Sequence, residues 1–427
     1  MKVWLINSTE PTPADAGAMR LRRTGMIAEQ LLKRGHQVDW FTSTFSHFDK
    51  EHRYRSDRLV ELSEQFRVRY LHVPAYQKNI SLQRLKNHYL LGRKLRTVMA
   101  RETQPDVILC SYPTIEASYT AVKYGRENDV PVVLDIRDLW PDLFVDHAPG
   151  STQKIARSVL APYFRMSSNA CAQATALCGS TDEFVRWGLE RGGRGLSDWD
   201  RAVPFAYDPP NLSENELQDS RRHWDQEGIG VDPNVPVACF FGTLNRQFDF
   251  DSVIDAARRV NAKRHVQFVF CGQGEVLESL RAETAGDKFI KWPGWVNAAQ
   301  IWALMQHSQF GLAPYLETPN FLSNVANKPI EYLAGGLPIV SSLSRGALHR
   351  LVESNEVGIS YNGDADRLAS QMLALLADTG RHRELVQNAR DLFLERYSAE
   401  QVYGGFAEHL EAIAGSTADR YYPRPAA

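Results

Sequence analysis

One stretch of the chain, residues 324–340, places a cation and a carboxylate one turn apart at the start of a predicted helix. A polar segment from Asn324 to Asn327 leads to Lys328 and Glu331, and Gly335-Gly336 then precedes an apolar strand. The N-terminus of a helix carries unpaired amides and a partial positive charge that suit a diphosphate, and Lys328 adds a full charge there. Glu331 could accept hydrogen bonds from a ribose diol. Taken alone, this pattern is more typical of an ordinary helix-to-strand junction, so its interpretation depends on the other motifs.

Three turns of small residues follow predicted strands in the same half of the chain. Gly242-Thr243 ends one strand and precedes Arg246, whose guanidinium could reach a leaving diphosphate. The Gly-x-Gly turn from Gly272 to Gly274 and the Pro-Gly-Trp-Val turn at Trp295 could read a base through backbone groups. Glycine is frequent at strand ends for steric reasons, so either turn alone is weak evidence.

The sharpest feature of the first half is an apolar strand whose end carries several polar side chains. After Ile136 come Arg137, Asp138 and Asp142. Asp138 could orient an acceptor hydroxyl or a donor sugar, while Arg137 could pair with a phosphate or with Asp142. The alternative is a structural ion pair that anchors the loop, because salt-bridged networks also gather at strand ends.

A loop of small residues follows the first predicted strand and could face an acceptor. Gly17 lies in this loop, just before the helix that carries Arg20, and small residues there would let the backbone approach a ligand. The alternative is a plain strand-to-helix loop. The full Gly-x-Gly-x-x-Gly fingerprint of a dinucleotide site is absent from this turn, which disfavours a nicotinamide dehydrogenase.

The elements that must position these residues alternate between short apolar strands and helical periods. One series runs from Val3–Ile6, through a helix near 19–34, to a strand near 130–136. A second series runs from Val237–Gly242 to Ile339-Val340. This alternation predicts an α/β fold with two Rossmann-like domains whose strand ends face a central cleft.

Glycine and proline mark the boundary between the two predicted domains. Residues 191–195 predict a surface loop, and residues 203–210 predict a hinge strand. We therefore expect a first domain at 1–205 on the acceptor side and a second, donor-binding domain at 206–398.

Composition limits the classes of protein to consider. At 427 residues the chain is too long for one core, and its 43% apolar and 23% charged residues are typical of a folded protein. A formal charge of −2 gives no overall case for nucleic-acid binding. The five cysteines contain no Cys-x-x-Cys pair, which indicates buried thiols in a reducing compartment. Without a run of about 18 apolar residues, we expect a cytoplasmic protein or one peripheral on the inner face of the cytoplasmic membrane.

In their order along the chain, the motifs of the second half resemble those of retaining family-4 glycosyltransferases of GT-B fold. They are Phe-Gly-Thr, Gly-x-Gly, Pro-Gly-Trp-Val, Ala-Pro-Tyr and Asn-Lys-x-x-Glu-Tyr-Leu-Ala-x-Gly-x-Pro, from Phe241 to Pro338. In the first half, Gly35–Val38 and Asp138–Pro141 resemble the branch that builds bacterial O-antigen, capsule and exopolysaccharide.

The resemblance implies roles for several of these residues. Lys328 would contact the donor diphosphate, Glu331 would contact the ribose, and Arg246 lies at or near the position of the family's phosphate-binding Arg. The resemblance also implies that a helix of residues 399–414 returns to the first domain, which residues 399–427 would complete. We expect the residues from Thr417 onward to form a loose tail.

One departure from the family's pattern affects the donor sugar. The family places an acid eight residues before Glu331, and here that residue is Ser323. Its role could pass to Asn320, to Asn324 or to backbone amides at 321–322.

Two further departures affect charge and proton transfer. Asp251 occupies the position where the family usually has a Lys, which leaves Lys328 as the stronger cation. The histidine that many members carry near the end of the strand at Ile136 is missing, so Arg137 and Asp138 occupy its location.

Two Asp-x-Asp sequences invite comparison with metal sites. Asp249–Asp251 and Asp364–Asp366 match the motif that binds a metal–nucleotide complex in the other large glycosyltransferase fold. Here they are expected to start helices. Enzymes of GT-B fold need no bound metal, because a helix dipole and basic side chains stabilise the leaving diphosphate. We therefore expect neither a metal nor another cofactor.

Residues Leu82 to Arg101 form a basic amphipathic pattern. Six Lys and Arg side chains alternate with apolar residues at helical spacing. Such a helix could rest on anionic lipid near a lipid-linked acceptor. The more frequent explanation of this pattern is a core-packed helix with a solvated charged face.

Together these features favour a retaining hexosyltransferase that moves a sugar from a nucleotide-diphosphate donor to a hydroxyl of a saccharide or lipid-linked acceptor in cell-surface polysaccharide synthesis. A GT-B sugar-nucleotide epimerase would use the same donor site but would need a His for proton transfer. A catalytically idle scaffold of the same fold is suggested by Ser323 and Asp251.

Overall fold

The computed structural model describes residues 1–15, 20–78, 81–146 and 148–416. The chain divides into two compact units. Unit 1 comprises Met1–Pro204 together with the chain from Val402 onward, and unit 2 comprises Phe205–Gln401.

Unit 1 is built on an eight-stranded sheet. Its strands are β1 Lys2–Ile6, β2 Gln37–Ser43, β3 Arg58–Ser63, β4 Phe66–Leu71, β5 Val107–Tyr112, β6 Val132–Ile136, β7 Ala176–Gly179 and β8 Arg201–Ala202. They lie in the order β3-β4-β2-β1-β5-β6-β7-β8, and all neighbours are parallel except the antiparallel pair β3 and β4. Every residue of β5 and β6 is buried, as expected for central parallel strands covered on both faces.

Helices flank this sheet. They are α1 Arg23–Lys33, α2 Leu82–Met99, α3 Ile115–Asn128, α4 Asp142–Asp146, α5 Gln153–Val159, α6 Ala161–Gln173 and α7 Asp182–Gly192. A 3₁₀ turn covers Gly150–Thr152. The first helix begins at Arg23, later than expected; residue 19, where we expected it to start, lies outside the described residues. The predicted loop at 191–195 is partly wrong, because α7 continues through Gly192 and ends where Gly193 adopts a φ of 62°.

Unit 2 contains a six-stranded sheet that is parallel throughout. Its strands are β9 Val237–Phe241, β10 Gln267–Cys271, β11 Ile290–Gly294, β12 Phe310–Ala313, β13 Ile339–Ser341 and β14 Gly358–Ser360. They lie in the order β11-β10-β9-β12-β13-β14. Its helices are α8 Glu214–Gln226, α9 Phe250–Asn261, α10 Leu277–Glu283, α11 Ala298–His307, α12 Pro319–Ser323, α13 Asn327–Gly335, α14 Gly346–Ser354, α15 Ala365–Ala377 and α16 Thr379–Arg396.

The two Asp-x-Asp sequences start helices, as predicted. The Asp249 side chain accepts a hydrogen bond from the Ser252 amide at the start of α9. Asp364 accepts from the amides of Asp366 and Arg367 at the start of α15.

The predicted hinge strand at 203–210 is wrong. All of these residues are described, and they form only an isolated bridge between Tyr207 and Ser398. The prolines at 204, 209 and 210 have no amide hydrogen to donate, so a regular ladder cannot form there.

The last helix, α17, spans Ala399–Ala414 and connects the units along the chain. From Val402 it belongs to unit 1, where Arg34 donates two hydrogen bonds of 2.7 Å to the carboxylate of Glu411. His409 contacts the carbonyl of Trp199 at 2.9 Å. The tail expected from Thr417 lies outside the described residues.

The sheet orders confirm the predicted α/β fold with two Rossmann-like domains. In each sheet the chain proceeds outward from a central strand and then returns to that strand's other side. The switch lies between β1 and β5 in unit 1 and between β9 and β12 in unit 2. Ligands of open parallel sheets bind outside the carboxyl ends of strands at such points, so these are the two expected ligand positions.

Candidate active site

The motif that opens with Lys328 forms the predicted helix. Asn327 begins α13, and Gly336 ends it with a φ of 69°. The Tyr332 hydroxyl donates to the carbonyl of Leu312 at 2.9 Å, and its ring covers Gly311, where any side chain would overlap it. The middle of α13 is therefore held against the sheet, beside the switch point of unit 2.

Lys328 crosses directly over the turn that follows β9. A Cβ atom at Gly242 would lie 2.7 Å from Nζ of Lys328, and Gly242 has a φ of 143°, so this position requires glycine. The Lys328 ammonium lies 5.2 Å from the ring centroid of Phe240 and 4.8 Å from that of Phe248. Burial lowers the pKa of Lys328 to about 8, against the attraction of Glu331. An anion bound beside Lys328 would stabilise the charged form of this buried side chain.

Glu331 lies one turn beyond Lys328 and is 7% exposed. Asn327 is exposed, and Ser323 and Asn324 are half-buried. The structure thus brings the charged pair of the motif together at one end of α13, with polar side chains beside it.

The Gly-x-Gly turn packs backbone against backbone. A Cβ at Gly272 would overlap the carbonyl oxygen of Gly242, and one at Gly274 would overlap that of Leu244. The Gly272 amide donates to the carbonyl of Gly294 at 2.6 Å, so it is engaged within the fold. These glycines let the loops after β9 and β10 stack closely, and this favours their structural interpretation over direct reading of a base.

Three other predicted donor residues lie on the surface near these loops. Thr243 is exposed. The Arg246 side chain is 85% exposed, with Nε 3.9 Å from Glu275. Trp295 is 68% exposed after β11. Their side chains are open to a ligand rather than committed to the core.

Asn320, one of the residues expected to take the role of the acid missing at Ser323, has a buried acceptor atom. Its Oδ1 is buried and accepts no hydrogen bond from any described residue. The hydroxyl of Tyr315 is in the same state. A buried acceptor without a donor lowers the stability of the folded protein. Asn320 is therefore suited to accept a hydrogen bond from a ligand hydroxyl.

In unit 1, Arg137 anchors the end of β6. Its guanidinium donates to Asp135 at 2.7 Å, to Thr24 at 3.1 Å and to Glu10. Burial raises the pKa of Asp135, but Arg137 and Arg23 outweigh that effect and hold it below its usual value. The position favours an anchoring role for Arg137 over phosphate binding.

The predicted alternative pairing of Arg137 with Asp142 is wrong. Asp142 lies on α4 and accepts hydrogen bonds from Arg191 and from the indole of Trp187. Asp142 begins α4 and faces α7, whereas Arg137 faces the end of the sheet, so the two side chains do not pair.

Asp138 follows Arg137 at the end of β6 and is a carboxylate whose pKa is shifted toward neutrality. Burial raises its pKa to about 6, against the attraction of Arg84 and Arg137. Arg84 lies over the ring of Trp140, with Cζ 4.4 Å from the centroid, and Trp140 is 5% exposed. Trp140 therefore packs within unit 1, next to Asp138.

The switch point of unit 1 contains a small cavity. Asn7, Ser8, Ser111 and Thr114 supply polar groups at its rim, at the ends of β1 and β5. On the expected acceptor side, Arg20 is exposed, while Gly17 lies outside the described residues.

Sequence reasoning missed a group of side chains around one tyrosine. This Tyr76 cluster consists of Arg22, His47, Lys50, Tyr76 and Arg84. The available signal was position: residues 47–50 follow β2, Tyr76 follows β4, and Arg84 lies in the first turn of α2. The strands β2 and β4 are parallel neighbours, so the segments after them lie at one edge of the sheet.

Side chains suited to metal binding do not cluster in the described part of the chain. Nowhere in it do three His, Cys, Asp or Glu residues come together as potential ligands. All five cysteines are buried free thiols, as predicted.

Two family models match the chain, one in each unit. The "Glycosyl transferase 4-like domain" matches residues 21–195, and "Glycosyl transferases group 1" matches residues 235–378. An uncharacterized glycosyltransferase of Methanocaldococcus jannaschii is 27% identical over 212 residues, 49% of this chain and 50% of that protein. The chain thus matches about half the length of this curated relative.

Solved structures match nearly the whole chain. Sucrose-phosphate synthase from Thermosynechococcus elongatus has a TM-score of 0.69 at 15% identity, covering 97% of this chain and 100% of that chain. HepE of Anabaena in complex with UDP has a TM-score of 0.65 at 15% identity, covering 96% and 100%. Starch synthase IV of Arabidopsis thaliana bound to ADP and acarbose has a TM-score of 0.66 at 11% identity, covering 97% and 99%. At these identities the likeness shows the fold.

The fold and the two family matches together define the class, that of the GT-B glycosyltransferases. Within this class, a 4-like domain followed by a group 1 domain indicates the family-4 type.

Proposed function

We propose that this chain is a retaining, metal-independent hexosyltransferase. It transfers a sugar from a nucleotide-diphosphate donor to a hydroxyl of a lipid-linked saccharide in cell-surface polysaccharide synthesis. The observation that carries the proposal is the position of Lys328 across Gly242 at the start of α13, with Glu331 one turn further. HepE, which shares the fold, was solved with UDP, and this supports a nucleotide donor.

The donor would lie at the switch point of unit 2. Lys328 and the first turn of α13 would bind the diphosphate, and Glu331 would accept hydrogen bonds from the ribose. Arg246, exposed nearby, could swing to the leaving diphosphate. Asn320 would accept a hydrogen bond from a donor-sugar hydroxyl in place of the family's acid.

We infer front-face displacement for the chemical step. The bond from the anomeric carbon to the diphosphate oxygen breaks, and the acceptor oxygen forms a new bond on the same face. The acceptor proton passes to the departing diphosphate, whose charge Lys328 and Arg246 stabilise. Asp138 would orient the acceptor in unit 1.

The test is release of nucleoside diphosphate from UDP-, GDP-, TDP- and ADP-sugars, with a membrane lipid extract as acceptor. One donor should be turned over by the wild type, and Glu331→Ala should lose about 10- to 100-fold in kcat/KM with loss of the ribose contact. Glu353→Ala, an exposed glutamate of the same unit, is the matched control and should behave as wild type.

If no nucleoside diphosphate is released, calorimetric titration with the same nucleotides shows whether the protein binds a donor. Binding that depends on Glu331, with no release in any extract, would contradict the transferase and favour the idle scaffold. Absence of binding by all four nucleotides would contradict the donor site itself.

A further inference from the structure

The Tyr76 cluster gathers cations from separate segments around one ring. Nδ1 of His47 lies 2.6 Å from the Tyr76 hydroxyl. Nζ of Lys50 and Cζ of Arg84 lie 4.9 and 5.6 Å from the centroid of the Tyr76 ring. Because both cations face the same ring, they lie close enough to repel each other.

Arg22 brings a third permanent charge to the cluster. Its Cζ lies 4.0 Å from the ring centroid of Phe48, the residue after His47. Burial, followed by Arg84, Lys50 and Arg22, lowers the pKa of His47 to about 3. Burial and Arg84 also lower the pKa of Lys50. Positive charge therefore dominates the surroundings of His47.

Three acids of the neighbouring loops contact side chains outside the Tyr76 cluster. Asp15 pairs with Arg53 at 2.8 Å, and Asp57 pairs with Lys94 at 2.6 Å. Asp49 accepts a 2.6 Å hydrogen bond from the hydroxyl of Ser46. Asp138 is the carboxylate whose charge acts on Arg84.

We propose that the Tyr76 cluster binds a phosphate group of the acceptor. This inference rests on the proposed function, because it assumes that unit 1 receives the acceptor. A phosphate accepts hydrogen bonds from guanidinium, ammonium and phenol together, and its charge removes the repulsion among the cations. Arg84 belongs to the cluster and its charge acts on Asp138, so the phosphate would lie on the same side of unit 1 as the hydroxyl that Asp138 orients.

The acceptor is therefore a short phosphorylated saccharide. The same chemistry is offered by a monosaccharide joined to a lipid through a diphosphate and by a soluble sugar phosphate. Both present a phosphate beside the first sugar, which a long neutral glycan would not.

Hydrogen exchange of the full chain, read by mass spectrometry, separates the two candidate sites. Inorganic pyrophosphate is the first probe. We expect it to slow exchange in peptides covering 44–57 and 74–90 of unit 1, independently of any protection at 326–333 of unit 2. Protection confined to unit 2 overturns this inference and leaves the proposed function standing. Protection confined to unit 1 counts against the donor site of the proposed function and leaves the phosphate site at the Tyr76 cluster standing.

Two surface variants test the cluster without disturbing the core. Lys50→Asn removes a charge at a residue with a φ of 59°, which Asn accepts readily, and Arg22→Gln alters an exposed side chain. Each should weaken the unit 1 protection about tenfold. Lys123→Gln, a surface cation of α3 paired with Glu127, is the matched control and should leave it unchanged. Equal protection in all three variants overturns the proposal.

Two further arms identify the source of the phosphate. Hexose 1-phosphate is compared with the free hexose, and phosphatidylcholine vesicles containing a polyprenyl diphosphate are compared with plain vesicles. Protection of 44–57 by the hexose phosphate points to soluble sugar phosphates, and protection by the doped vesicles alone points to a lipid diphosphate. No difference within either pair counts against the proposal.

Discussion

At the scale of single residues, two titrating side chains define what the proposed chemistry requires. Asp138 has a pKa raised to about 6 by burial, and Lys328 has a pKa lowered to about 8 by burial. The first must be ionised to orient a hydroxyl, and the second must be protonated to bind a diphosphate. The proposed active form, with Asp138 ionised and Lys328 protonated, is therefore expected to dominate between about pH 6 and about pH 8.

The first prediction is a bell-shaped dependence of kcat/KM on pH. Activity should rise through about pH 6 as Asp138 loses its proton and fall above about pH 8 as Lys328 loses its charge. Asp138→Asn should lower activity and remove the acidic limb, and Lys328→Arg should remove the alkaline limb because guanidinium stays charged. Asp146→Asn, an exposed acid on α4, is the control. Limbs that persist in both site variants would contradict these assignments.

At the scale of elements, the packing of α2 on α3 leaves a carboxyl group buried. A Cβ at Gly92 of α2 would lie 2.9 Å from Cβ of Glu116 on α3, so the helices are in close contact. Oε1 of Glu116 has no hydrogen-bond partner among the described residues. Glu116 lines a small cavity, next to His88 and Trp140. Burial raises the pKa of Glu116 to about 7.

The second prediction concerns stability and follows from that carboxyl group. Its folded pKa lies above its ordinary value of 4.5, so the stability it contributes is present below pH 4.5 and is lost as pH rises through about 7. The loss is about 1.4 kcal/mol per pH unit within this window. Glu116→Gln, which cannot ionise, should therefore become more stable relative to wild type as pH increases.

Urea unfolding at pH 5 and pH 8 checks this expectation. Glu127→Gln alters an exposed carboxylate of the same helix and should show no such trend. A difference between Glu116→Gln and wild type that does not vary with pH would show that Glu116 is not buried in its neutral form.

At the scale of the whole molecule, the exposed side of α2 is relevant to the expected contact with a membrane. The buried side of this helix includes Arg84, Leu91 and Leu95, so the core-packed interpretation of the segment is confirmed for that side. The opposite side exposes Leu82 at 83% and Tyr89 at 53%. Lys86 and Arg93 are also exposed, and at positions 82, 86, 89 and 93 the four side chains lie on one side of the helix.

A second element of unit 1 also exposes apolar side chains. On α5, Ile155 is 64% and Val159 is 71% exposed, next to exposed Lys154 and Arg157. No helix in the described residues combines the length and apolar character needed to cross a membrane. A basic surface with a few exposed apolar side chains is suited to lie on an anionic bilayer.

The third prediction is binding of the purified protein to anionic vesicles at low salt. Reversing Lys86 and Arg93 to Glu should weaken binding at least about 30-fold, since each basic residue contributes about 1 kcal/mol near such a surface. The same reversal at Lys263 and Lys288, exposed on unit 2, is the control. Flotation on a density gradient measures the bound fraction, and indifference to anionic lipid would contradict membrane contact.

Some expectations from sequence were wrong or incomplete because they concern partners distant along the chain. For Arg137 the sequence left open a phosphate, Asp142 or a structural ion pair, and the structure pairs it with Asp135 and Glu10. The Gly272 turn could read a base through its backbone, and this stays a prediction; the Gly272 amide itself is bonded to Gly294. Hydrogen-bond partners of this kind depend on which strands are neighbours, and local patterns do not specify that order.

The sequence by itself determined the alternation of elements, the start and end of α13, and the helix caps at Asp249 and Asp364. Those features depend on nearby side chains, on glycine's freedom at Gly336 and on short-range hydrogen bonds. Only the tertiary structure decided that Lys328 lies over Gly242 and that the Tyr76 cluster exists. These contacts join residues separated by tens of positions, and they form only when the parallel strands bring their carboxyl ends to one edge.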